Sequence, residues 1–215
     1  MTGDSDIQGA EGRGALSPGA EQAEASGPAA MRAALGSRVV ALVGMMGSGK
    51  TSIGKRLANK LGLPFIDSDG EIELAAGMTI TEIFDRHGEP YFRDGERRVI
   101  ARLLNEGSCV LATGGGAFMD PRTREALSRT AVTIWLRADL TTLIQRIARR
   151  NNRPLMRTAD PAAQVERLLT LRVPTYSLAD ITVDSSDRPH DEVVATLMNA
   201  LSAHLQVKAR PRVAL

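Results

Sequence analysis

The chain has 215 residues, 43% of them apolar, and a formal charge of +2, enough for one α/β domain with a tail. Only 3% of residues are aromatic, which provides no stacking platform for single-stranded nucleic acid. No apolar run approaches the roughly 18–20 residues that cross a bilayer, and a single cysteine, Cys109, excludes an internal disulfide and any cysteine-based zinc cage. These features imply a soluble, cytoplasmic protein with no nucleic-acid or membrane partner.

Residues 1–36 are rich in Gly, Ala, Ser, Pro and Glu, and five acids against two arginines leave the segment about −3. They lack the apolar core of a signal peptide and are too acidic for an ordinary transit peptide, so the composition predicts a disordered N-terminal tail. Residues 37–205 carry the folded pattern, and 206–215 read as a frayed C-terminal tail. No period of 20–50 residues repeats.

Arg38-Val-Val-Ala-Leu-Val43 reads as a buried strand that breaks into Gly44-Met-Met-Gly-Ser-Gly-Lys-Thr51, a match to G-x-x-x-x-G-K-[ST]. A strand, a glycine turn and a helix over 50–61 form a phosphate cradle. Backbone N–H groups at Gly47, Ser48 and Gly49 converge on phosphate, Lys50 bridges the β- and γ-phosphates, and the Thr51 hydroxyl binds Mg²⁺. Downstream, apolar strands are predicted at 63–66, 108–112, 131–136 and 180–183. Helices are predicted at 70–76, 79–86, 92–106, 122–128, 139–149, 161–171 and 191–204. The alternation defines a three-layer α/β/α fold with a central five-stranded parallel sheet.

The second strand ends in Asp67-Ser-Asp69. One carboxylate can hold a metal-bound water and the other meet a substrate hydroxyl; equally, Asp69 can cap the following helix with Asp67 solvated. The third strand ends in Gly114-Gly115-Gly116, either an ordinary turn or a wall against which a small ligand approaches the backbone. Arg146, Arg149, Arg150, Arg153 and Arg157 surround a proline-broken polar segment at about 149–160, either a solvated face or a mobile lid whose cations cover a triphosphate. Cys109 sits in an apolar run as a buried small hydrophobe, and His87, His190 and His204 have no metal-ligand spacing.

Taken in order and spacing, the phosphate loop, Phe65-Ile-Asp-Ser-Asp69, Gly88-Glu-Pro-Tyr-Phe-Arg93 with Glu96, the glycine triplet, Arg153-Pro-Leu155 and Arg172-Val-Pro-Thr-Tyr176 resemble the shikimate kinase family over about residues 37–205. The resemblance implies a nucleoside-monophosphate-kinase-like fold with a small helical substrate-binding region at about 67–95 and a lid. It implies a monomer that uses Mg²⁺ and ATP to phosphorylate the shikimate 3-hydroxyl, a step toward chorismate and the aromatic amino acids.

By matching position, Lys50, Asp69 and Arg153 are the catalytic set, with Asp69 orienting or accepting the proton of the attacking hydroxyl. Gly47 through Ser52, Arg146, Arg153 and Arg188 contact ATP, and Thr51 and Asp67 serve the metal. Asp69, Arg93, Gly114, Gly115, Gly116 and Arg172 bind shikimate, the two arginines clasping its carboxylate. Asp94-Gly95 departs from the family's basic run after Arg93. A gluconate-kinase-like small-metabolite kinase and a non-catalytic nucleotide-binding module are the alternatives.

Overall fold

The computed structural model describes residues 27–148 and 160–209, with side chains through Gln206. Five strands form the sheet: β1 (Val39–Val43), β2 (Phe65–Asp67), β3 (Val110–Ala112), β4 (Ala131–Arg137) and β5 (Ile181–Asp184). Every pairing is parallel and the spatial order is β2-β3-β1-β4-β5. From β1 the chain passes to the edge strand β2, returns to β3 between them, and then crosses to β4 and β5 on the other side, and the crevice at the C-terminal edge of β1 and β3 is where such sheets bind ligands.

The inner strands β1, β3 and β4 are buried on both faces, as parallel strands in this architecture must be, and the edge strands β2 and β5 only in part. Side chains alternate along β1: Val39, Ala41 and Val43 pack into one core with Leu111, Trp135 and Tyr176, while Val40 and Leu42 pack into the other with Ile134, Leu197 and Leu201. All five β1 residues are fully buried, so the strand that launches the phosphate loop is also the centre of the molecule.

Helix α1 (Pro28–Leu35) corrects the expectation of a tail running to residue 36. Its Met31 and Leu35 are buried in the second core, and it packs on α2 (Lys50–Leu61) and on the C-terminal helix α8 (His190–Ala209). Arg38 closes its end, donating from Nε to Leu35 O (3.2 Å) and from Nη2 to Ala34 O (2.8 Å). Two apolar side chains one turn apart suffice to dock this short helix, a signal that the Ala- and Gly-rich composition obscures. At the other end, α8 extends the predicted helix to Ala209, past the expected boundary at 205.

Helices α3 (Ser68–Ala76) and α4 (Ile80–Leu103) form the arm beside β2. A reciprocal capping box between Thr79 and Glu82 starts α4. The two helices predicted at 79–86 and 92–106 meet at a bend: Gly88 leaves the helical region (φ 79°, ψ 174°), and Pro90 follows without an N–H to donate. A 3₁₀ turn (Ala117–Met119), α5 (Pro121–Thr130), α6 (Leu140–Ala148) and α7 (Pro161–Tyr176) complete the fold. Among the described residues no helix is long and apolar enough to cross a membrane.

Candidate active site

Two cavities open along the C-terminal edge of the sheet. The first, about 360 Å³, is lined by Gly47, Gly49, Lys50, Thr51, Ser52, Asp67, Asp69, Gly115, Arg146 and His190 among others. At its base the chain leaves β1 at Gly44, whose φ of 136° is closed to ordinary side chains; a Cβ there would also stand 2.7 Å from the Leu136 carbonyl. The Lys50 Nζ donates to the carbonyls of Gly44 (2.8 Å) and Met45 (2.9 Å), which holds the ammonium over its own loop. Ser48 is fully buried, and its carbonyl accepts from the Ser185 hydroxyl (2.9 Å), tying the loop to the segment after β5.

The Thr51 hydroxyl donates to Asp67 Oδ2 (2.9 Å), and Asp67 Oδ1 accepts from the Asp69 amide (3.2 Å). Asp67, rather than Asp69, is therefore the N-cap of α3, which leaves the Asp69 carboxylate to line both cavities. Arg146 enters the first cavity from α6 and is anchored by Nη2 donating to Ser185 O (2.8 Å). Helix α6 is itself started by Asp139, whose carboxylate accepts from the Thr142 amide (2.7 Å) and hydroxyl (2.8 Å); these bonds hold its pKa down at about 2. Arg188 is not brought to the cavity: its Nε lies 3.9 Å from Glu192 and its side chain is half exposed. Arg153 and the lid expected at about 149–160 fall outside the described residues, save Asp160, which caps α7 through the Ala163 amide (3.0 Å).

The second cavity, about 580 Å³, is lined by Asp69, Arg93, Glu96, Gly114, Gly115, Gly116 and Arg172, with Phe84 and Phe92 as apolar walls. Arg93 Nη1 donates to Glu96 Oε2 (2.8 Å), while its Nε and Nη2 donate to Glu89 Oε1 (3.1 and 3.0 Å). Glu96 is almost wholly buried, and burial pushes its pKa up while the Arg93 charge opposes the rise; nearby Asp69 pushes it further. For Arg93, burial works against the charge but Glu96 and Glu89 outweigh it, and its pKa is raised.

Two members of the glycine triplet, Gly114 and Gly116, stand against side chains of the cavity. A Cβ at Gly116 would lie 2.7 Å from the Arg93 Cζ, and one at Gly114 would collide with the Glu96 carboxylate and come within 2.9 Å of Asp69 Oδ1. The Gly115 carbonyl accepts from Arg172 Nη1 (3.2 Å) and from the Tyr176 hydroxyl. Asp94 pairs with Arg97 and Arg98 and does not line the cavity.

Sequence reasoning did not single out Ser68, Tyr176 or His190 as site residues. Buried Ser68 accepts the Gly114 amide (3.0 Å), linking the start of α3 to the triplet. Tyr176 stacks on Trp135 and is buried, its hydroxyl pushed up to about 12 by that burial. It follows Arg172 by four residues on one helix, so its convergence on the same carbonyl was open to a periodicity argument.

A phosphate loop at the switch point, an oxygen pair of hard-cation type beside it, and an adjoining cavity with two guanidinium groups define a phosphoryl-transfer enzyme that acts on a small anionic acceptor. The family model described as shikimate kinase matches residues 46–202. The chain is 56% identical over 190 residues to a shikimate kinase of Bradyrhizobium diazoefficiens, covering 88% of this chain and 92% of that protein. It is 54% identical to one of Rhodopseudomonas palustris, covering 80% and 85% respectively. Among solved structures, the shikimate kinase from Acinetobacter baumannii in complex with shikimate aligns with a TM-score of 0.77 at 35% identity, over 84% of this chain and 99% of that one. The chain belongs to the shikimate kinase family and is a phosphotransferase with an alcohol group as acceptor. A gluconokinase from Sinorhizobium meliloti, 22% identical with a TM-score of 0.52, shares the fold alone.

Proposed function

We propose that this chain transfers the γ-phosphoryl group of ATP to the 3-hydroxyl of shikimate, giving ADP and shikimate 3-phosphate on the route to chorismate. The observation that carries the reading is that Asp69 and Gly115 line both cavities, so a hydroxyl bound in one faces a phosphate chain bound in the other.

Asp69 binds the ring hydroxyls and takes the proton of the attacking oxygen as its bond to phosphorus forms and the β–γ bridge breaks. Lys50 neutralises charge gathering on the transferred group, and Arg153 is assigned the same task from the lid. The loop from Gly47 to Ser52 supplies the phosphate cradle, and Arg146 contacts the adenine side. Arg93 and Arg172 clasp the acceptor carboxylate, while the Gly115 backbone meets the substrate. The Thr51 and Asp67 oxygens suit a hard divalent cation that keeps several waters, so they would hold Mg²⁺. When bound, Mg²⁺ supplies further charge neutralisation at the phosphates. Every residue in this set comes from one chain, and the catalytic unit is taken as a monomer.

The test is ADP release with Mg-ATP and a panel of shikimate, quinate, gluconate and nucleoside monophosphates. Shikimate is expected to give the highest kcat/KM. Preference for gluconate, or ADP release independent of every acceptor, overturns the reading.

A further inference from the structure

The acceptor cavity contains more carboxylates than cations. Arg93 and Arg172 line it, while Asp69, Glu73 and Glu96 line it too, and Glu89, outside that lining, pairs with Arg93. An acceptor that brings its own carboxylate therefore meets an Arg93 guanidinium already paired with Glu96 and Glu89. The two acids that hold Arg93 differ in kind. Glu96 is only 4% exposed and fixes Nη1, and Gly116 packs against the guanidinium carbon, so the orientation of the group is secured without Glu89. The Glu89 side chain is 55% exposed and spans Nε and Nη2 with a single oxygen. It also stands directly after the Gly88 bend, where the second arm of α4 begins.

We propose that Glu89 is an internal competitor for the substrate carboxylate: it occupies one edge of the Arg93 fork and must release that edge for tight acceptor binding, so it sets the shikimate KM. The proposal rests on Arg93 being a carboxylate clasp. Ion pairs as exposed as this one are weak, and a competing state populated to that degree reduces apparent affinity by its share of the population. Removing it should lower the shikimate KM by about two- to fivefold. A purely structural role for Glu89, as an acid in the first turn of the second arm, would move thermal stability and leave the KM alone.

The experiment compares Glu89→Gln, Asp94→Asn and Arg93→Lys in steady-state assays at saturating Mg-ATP, reading kcat and both KM values. Asp94→Asn removes the same charge one residue from Arg93, but from an acid that pairs with Arg97 and Arg98. Glu89→Gln is expected to lower the shikimate KM with kcat and the ATP KM unchanged, Asp94→Asn to change neither KM, and Arg93→Lys to raise the shikimate KM. An unchanged or higher shikimate KM in Glu89→Gln, with Arg93→Lys behaving as expected, overturns the competitor and leaves the clasp standing. An equal fall in Asp94→Asn assigns the effect to general charge and also overturns it. If Arg93→Lys leaves the shikimate KM unchanged, the clasp is wrong and the competitor falls with it.

Discussion

The phosphate cavity and the acceptor cavity sit side by side on one sheet edge but are built by different means. The phosphate side is built around one contiguous stretch, Gly44 to Ser52, whose glycine turn and Lys50 form its base, with Asp67, Asp69, Gly115, Arg146 and His190 completing the lining. The acceptor side is assembled from residues scattered between Met46 and Tyr176, and its geometry depends on side chains that brace one another: Glu96 on Arg93, Arg172 and Tyr176 on the Gly115 carbonyl, Ser68 on Gly114. Backbone cradles tolerate changes in their surroundings, whereas braced side chains transmit them. A contiguous motif concentrates function in few residues, and a dispersed one spreads it over many partial contributions.

The largest expected effect tests the concentrated side. Lys50→Ala should lower kcat by about 10³-fold, the upper scale for losing one preorganised group aimed at the transition state. Nearly normal turnover at saturating Mg-ATP would show that the cradle works without its cation. Asp69→Asn, at the junction of the two cavities, should lower kcat by about 10²-fold, the lower end for general acid–base catalysis, with both KM values changed far less. A defect confined to the shikimate KM would move Asp69 wholly to the acceptor side.

Gly116→Ala sharpens the contrast, because it adds a methyl against Arg93 and touches nothing on the phosphate side. The shikimate KM should rise about tenfold, the loss of roughly 1.4 kcal/mol of binding, while the ATP KM stays within error. An ATP defect of similar size would mean that the two cavities are one mechanical unit. Smallest of all, Asp139→Ala should cost about 1 kcal/mol of stability through the lost cap of α6, read as a lower Tm at pH 7. The depressed carboxyl contributes stability above the ordinary aspartate range and loses it as pH falls through about 2, so the Tm gap should close on acidification. A gap that persists in acid would show that the hydrogen bonds, not the charge, carry the effect.

What the sequence revealed follows the same division. The phosphate loop, all five strands and the parallel arrangement were legible because each is carried by a local pattern: buried β-branched runs, glycine spacing and helical periodicity. Asp69 drew notice as one of two acids at a strand end, whereas Arg93 and Arg172 were singled out only through the motif resemblance, since no local rule pairs residues so far apart. Their shared cavity depends on the order β2-β3-β1, which places the ends of strands distant in sequence next to one another. The capping role passed from Asp69 to Asp67 because the helix begins two residues earlier than its apolar pattern suggests. Gly88 and Pro90 were readable as a break between helices, but not as a bend within one continuous arm. Helix α1 was hidden because its two anchoring residues, Met31 and Leu35, lie among alanines and follow a stretch of tail-like composition.

That helix changes where the cooperative unit begins. The family match starts at Met46, inside the phosphate loop, yet the second core reaches back to Met31. Each of these side chains is worth about 1.5–3 kcal/mol when fully buried, a large share of the marginal stability of an ordinary domain. A protein trimmed to the first strand would keep every residue of both cavities and still begin with an uncovered apolar patch on α2 and α8. Such a truncation should show normal substrate affinities at low temperature and early loss of activity on warming, and a screen for compact expression boundaries should recover Pro28 rather than Arg38 as the first indispensable residue.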